Sequence, residues 1–200
     1  MNESNDITIR NGLRSDSWDR AIYAYATGYI FQKRAEKYKK LLQLLTFLGI
    51  VVPVLIGGVV LSFGTEFKLL NVLIVIAGIA GLIQLIASVW ALSADWQGNY
   101  TYSSESMSAN FKLATSYATL GKTPPDDLEA LKTQHKLLVV EDQARRDSDT
   151  KQNVTEEEKR AGTRAGLRHY QRPCVSCEKV PNSMQPTNCP VCGNFSPKLS

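Results

Sequence analysis

A chain of 200 residues with a formal net charge of +4 has room for one modest domain or two small ones. Its average hydrophobicity and charge match those of an ordinary soluble protein, but the average conceals two apolar blocks. Leu41 to Phe63 (23 residues) and Leu69 to Ala94 (26 residues) contain no Asp, Glu, Lys or Arg. Crossing a hydrocarbon core of about 30 Å takes about 20 apolar residues, so both blocks are long enough to span.

In chain order, the spacing predicts an N-terminal amphipathic helix within residues 1–40. Trp18, Ile22, Tyr25 and Tyr29 fall three and four apart, forming one apolar stripe. The stripe either packs on the tail or lies at the headgroup level, and packing is the simpler outcome. The helix is expected to run into span one, 41–63. That block follows forty polar residues and exceeds the length of a signal-peptide core, so it reads as a span. Gly64 to Lys68 leaves five residues for a tight turn, and span two follows at 69–94, making an antiparallel transmembrane hairpin. Lys33, Arg34, Lys37, Lys39 and Lys40 precede span one, whereas the turn holds only Lys68, offset by Glu66. Basic flanks remain cytoplasmic, so both termini are expected in the cytosol, with the protein multi-pass.

A helical region is expected over 95–146. Helix continues from span two to about Leu120, breaks at Gly121 and Pro124-Pro125, and restarts with Thr123 as cap and Leu128, Leu131 and Leu138 on one side. Residues 147–170 read as a polar linker, Asp147 to Val154, followed by a short basic helix opened by a Thr155/Glu158 capping box. Residues 171–196 complete a mainly α chain with a small C-terminal zinc ribbon.

That ribbon is the sharpest local signal. Cys174, Cys177, Cys189 and Cys192 form two Cys-x-x-Cys pairs separated by eleven residues, and they are the only cysteines. Two such pairs supply the four thiolates that Zn²⁺ prefers in a tetrahedron. The alternatives are two disulfides, disfavoured in a reducing cytosol, and a redox pair, disfavoured by the duplication. Gly193 suits a positive φ at the second turn, and Glu178 stands at the equivalent place in the first. A four-thiolate zinc carries −2, which Arg172 and Lys179 would partly offset. His169 is a redundant ligand and His135 reads as a surface histidine. Just upstream, Arg160, Arg164, Arg168 and Arg172 recur every four residues. On one helical face they would meet the phosphates of nucleic acid, nucleotide or lipid, or simply form a solvated face.

Neither span carries an ionisable group, so no charged relay or substrate site is expected there. Thr46, Gly49, Pro53 and Gly57 share a face of span one, and Ala77, Ala80, Gly81, Gln84 and Ser88 share a face of span two. Such small and polar positions pack helices together, or line a pore if several copies assemble. No nucleophile–base pair, phosphate loop or open metal site is present, so no enzyme activity is expected.

The segment Tyr29 to Lys40, the hairpin and the following Trp96 to Leu113 together resemble the SLATT superfamily of two-helix membrane proteins over roughly residues 15–120. The cysteine spacing resembles mobile-element-associated proteins named for two Cys-x-x-Cys pairs separated by eleven residues. The SLATT resemblance implies an effector of bacterial conflict and antiphage defence. It would lie in the lipid bilayer, form a homo-oligomer and permeabilise the inner membrane when a sensor protein, nucleotide signal or nucleic acid triggers it. The alternative is a membrane-anchored adaptor whose zinc ribbon binds a protein or nucleic-acid partner.

Overall fold

The computed structural model describes residues 3–63 and 70–199. The turn expected at Gly64 to Lys68 lies outside them. Five α-helices account for most of the described chain: α1 (Glu3–Phe63), α2 (Leu70–Ser93), α3 (Trp96–Lys122), α4 (Leu128–Asp149) and α5 (Glu156–His169). Short 3₁₀ turns occupy Thr150–Gln152 and Pro197–Leu199, and no strand occurs among the described residues. The chain divides into two compact units, one of Met1–Lys33 with Ser103–Ser200, the other Arg34–Tyr102.

The first unit is built on the N-terminal part of α1. Small residues let its neighbours come close: Ala21 and Ala24 are buried, and Ala24 meets Leu113 and Ala114 of α3. Gly28 lies under the Phe111 ring, where a Cβ would come within 2.8 Å of ring carbons. The aromatic stripe packs on the tail rather than facing outward. Trp18 meets Tyr170 edge-on at 5.8 Å, and Tyr25 contacts Phe111, His169 and Tyr170. Arg10 and Arg14 clamp the start of α1 to the α3–α4 turn through the carbonyls of Pro125, Asp126 and Gly121.

The inner face of α4 departs from the expected leucine stripe. Leu131 is fully buried, but so is Asp142, and Asp149 is buried as well. Asp142 accepts both arms of Arg146, a hydrogen bond from Arg20 and one from the Tyr117 hydroxyl. Asp149 accepts from Ser106, Asn110 and Arg145. A buried carboxylate survives only with such partners. Burial pushes the Tyr117 phenol up to about 12, and the negative charge of Asp142 adds to it. His135 is not a surface histidine: its side chain is 12 % exposed and its Nε2 lies 2.7 Å from Asp16.

Four boundaries differ from expectation. Helix does not run unbroken out of α2, because Asp95 takes a left-handed φ of 47° and its carboxylate accepts from the Gly98 amide to start α3. Gly121 does not break α3, which continues to Lys122; its bare Cα lies beneath Trp18. Asp127, not Thr123, caps α4 by accepting from the Ala130 amide at 2.8 Å, after the two prolines have ended α3. Helix α4 also runs through Asp147 to Asp149, where a polar composition suggested a linker.

The second unit holds two helical stretches long and apolar enough to cross a membrane, the later part of α1 and α2. Their side chains, among them Leu44, Ile50, Val54, Ile74, Ile83 and Val89, are exposed. A core helix of a soluble protein would bury them, so this surface calls for an apolar solvent. The two stretches pack antiparallel: Gly49 faces Gln84, while Val52 and Val59 share an apolar crevice of about 210 Å³ with Ala80 and Leu73. With its amide oriented to satisfy both groups, Gln84 donates to the Leu48 carbonyl at 3.3 Å and accepts from the Gly49 amide at 2.9 Å.

Candidate metal centre

Helix α5 positions the centre. Thr155 and Glu158 form the expected capping box, with three glutamates in the first turn and Arg168 and His169 in the last, as the helix dipole favours. Gln171 then turns the chain with φ 52°, and the Arg172 amide bonds back to the Leu167 carbonyl. Gly162 and Gly166, residues that ordinarily weaken a helix, are its contact points. A Cβ at either would stand 2.6 Å from a carbonyl of α1, that of Ala26 or Ile22.

Two similar turns follow. The Glu178 amide bonds to the Cys174 carbonyl at 2.8 Å, and the Gly193 amide to the Cys189 carbonyl at 3.0 Å. The positive φ falls at Glu178 (56°) and Asn194 (51°), not at Gly193. Gly193 is instead needed for close approach, since a Cβ there would meet Thr187 at 2.3 Å.

The turns bring the four cysteines together, with all four sulfur atoms within 4.8 Å of one another. Cys174 and Cys189 are 3.9 Å apart at sulfur, and Cys177 and Cys192 are 3.8 Å apart. A disulfide would need about 2.05 Å. A tetrahedral ion with metal–sulfur bonds of about 2.3 Å sets its ligands about 3.8 Å apart, so the donors fit a metal. The amides of Cys192 and Val191 hold the Cys189 thiol down at about 6, while burial pushes Cys192 up. Four sulfurs this close cannot all carry charge without a cation among them. His169 is elsewhere, stacked on the Tyr25 ring at 4.0 Å.

The arginine row faces the cysteine turns. Arg160 donates to the Asn194 carbonyl, Arg168 to that of Asn182, and Arg164 to those of Ser183 and Cys192. Arg164 is 6 % exposed and lies 4.0 Å from the Cys192 sulfur. No carboxylate pairs with it among the described residues, so its charge would face the thiolates of a metal-bound cluster. Its role as counter-charge was hidden in the regular spacing, which shows a face but not what covers it. Arg172 lies beyond the helix, over the Trp18 ring at 5.2 Å.

The residues singled out in the spans do not share one environment. Gly49, Ala77 and Gln84 lie between the two stretches, whereas Gly57 and Gly81 have no heavy atom within 4 Å of an added Cβ. Thr46 and Ser88 donate to carbonyls one turn back, those of Leu42 and Gln84.

No curated protein and no solved structure matches the chain. The family model described as the mobilome CxxCx(11)CxxC protein matches residues 14–195, taking in the bundle, both apolar helices and all four clustered cysteines, and the chain belongs to that family.

Proposed function

We propose that this protein is a membrane effector of a bacterial conflict or antiphage system, which assembles into oligomers and permeabilises the inner membrane when triggered. The observation that carries this reading is the open glycine surface of the second unit. Gly57, Gly58, Gly78 and Gly81 have no neighbour within 4 Å of an added Cβ, on stretches whose apolar side chains are already bare. Small residues on a lipid-facing helix allow a second copy to approach closely. The mobilome family and the SLATT-like layout supply the conflict setting. On this reading the ion in the cysteine cluster is zinc, both termini are cytoplasmic, and no catalysis occurs, because four thiolates leave zinc no open position. The trigger, whether sensor protein, nucleotide or nucleic acid, acts on the first unit and must bind the conducting arrangement better than the resting one.

The test is leakage of ions or dye from triggered cells or loaded liposomes. Wild type should leak, and Gly81→Leu should lose both leakage and assembly. A wild type that never leaks when its genetic neighbours are present would overturn the reading. A periplasmic reporter should be inactive after Ser200 and active in the turn at 64–68.

A membrane-anchored adaptor is the second reading. It is favoured by Val175, which stands 90 % exposed between the first two cysteines, where a partner would cover it. A pull-down that depends on Val175 in a chain that never leaks would select it.

A further inference from the structure

We propose that Cys177 is the point of chemical entry to the metal centre, a peroxide-reactive thiolate whose oxidation joins it to Cys192 and ejects the metal. The proposal rests on the metal reading of the cluster. Cys174, Cys189 and Cys192 are 1, 8 and 1 % exposed, whereas Cys177 is partly open. Cys177 lines a hollow of about 410 Å³ together with Lys179, Val180 and Arg164. Cys189 and Cys192 border the same hollow, but both are buried, and Arg164 lies 4.0 Å from the Cys192 sulfur. Cys174 does not reach it. A small polar oxidant therefore meets Cys177 as the most open of the three cysteines that do, with Lys179 and Arg164 lining the same hollow to stabilise departing hydroxide.

The step balances with hydrogen peroxide as oxidant. The Cys177 thiolate attacks one peroxide oxygen; an S–O bond forms as the O–O bond breaks. The sulfur loses two electrons, hydroxide leaves, and a sulfenic acid remains. The Cys192 thiolate, 3.8 Å away, then attacks that sulfur, forms the S–S bond and expels a second hydroxide. Two thiolates become one disulfide, peroxide becomes two hydroxides, and the metal loses two of its four ligands. The cysteine cluster packs on Leu167 and Ile22, so its collapse would loosen the hold of α5 on α1.

The test uses the full chain, purified in detergent with its metal content measured first. Brief iodoacetamide should alkylate Cys177 before the other three, as located by fragmentation mass spectrometry. Peroxide should release the metal to a chromogenic chelator and yield a Cys177–Cys192 disulfide. Cys177→His, which keeps a ligand, should lose most of the peroxide-driven release. First disulfides at Cys174–Cys177 or Cys174–Cys189, or equal labelling of all four cysteines in loaded protein, would overturn the proposal. If Cys177→His fails to hold metal, the wild-type disulfide map still decides. A chain purified without metal would instead remove the metal reading on which the proposal stands.

Discussion

Arg164 brings a full positive charge into a nearly closed space, where it touches two carbonyls and a sulfur rather than a carboxylate. Arg164→Met should therefore leave two carbonyls unsatisfied, at about 1–3 kcal/mol each, and strip the cluster of its counter-charge. The expected result is lower metal occupancy by elemental analysis, and Arg164→Lys should not restore it because an ammonium cannot reach both carbonyls. A second residue-scale expectation concerns alkali. Burial pushes Tyr117 and Tyr170 up to about 12; Tyr117 faces Asp142, and Tyr170 donates to the Ala114 carbonyl. A phenol raised above its ordinary value of 10 contributes stability that is fully present below pH 10 and lost as pH rises towards 12. Phenolate absorbance should show Tyr117 and Tyr170 titrating late, and the Tyr170 step should vanish in Tyr170→Phe. Asp16 behaves oppositely. Burial alone would raise its carboxyl, but Arg20 and then His135 outweigh burial and hold it below 3.8. Its contribution persists above that value and is lost as pH falls through the depressed one.

At the scale of helices, close approach explains residues that composition misjudges. Gly166→Ala would drive a methyl to 2.6 Å from the Ile22 carbonyl, and overpacking of this kind costs about 1–3 kcal/mol. Limited proteolysis should then release the segment after His169, while Gly12→Ala, with open space around it, should change nothing. Gln84→Leu should weaken the contact between α1 and α2 by about 0.6 kcal/mol, the usual worth of a hydrogen bond between helices in a bilayer. Cross-linking between cysteines introduced at Val52 and Ala80 would register the change. The apolar stretches, the capping box and the cysteine pairs were legible because each is written in contiguous residues or fixed spacing. Asp142 and Asp149 were not, because a charged residue reads as a solvated one until its partners are known. Arg20 is 122 positions from Asp142, and Ser106 is 43 from Asp149. The break at Asp95 was missed because the left-handed residue there is an aspartate and not the glycine that usually marks such a stop.

For the whole chain, the segment beyond α5 has too little apolar area to fold on its own, so a bound metal would contribute much of its order. Chelation, or Cys189→Ser, should unfold the segment from Pro173 onward while α1 and α2 stay in the membrane fraction. Circular dichroism should retain most of its helical signal, since the helices end before Pro173 apart from the short turn at Pro197–Leu199. An ordered tail in metal-free protein would contradict this. The arginines of α5 fasten the cysteine turns through uncharged acceptors, the carbonyls of Asn194, Ser183, Cys192 and Asn182. Ionic atmosphere weakens attraction between opposite charges over a Debye length but hardly touches a short bond to a neutral oxygen. The tail should accordingly stay fastened to α5 in concentrated brine, where a docking built on paired charges would come apart.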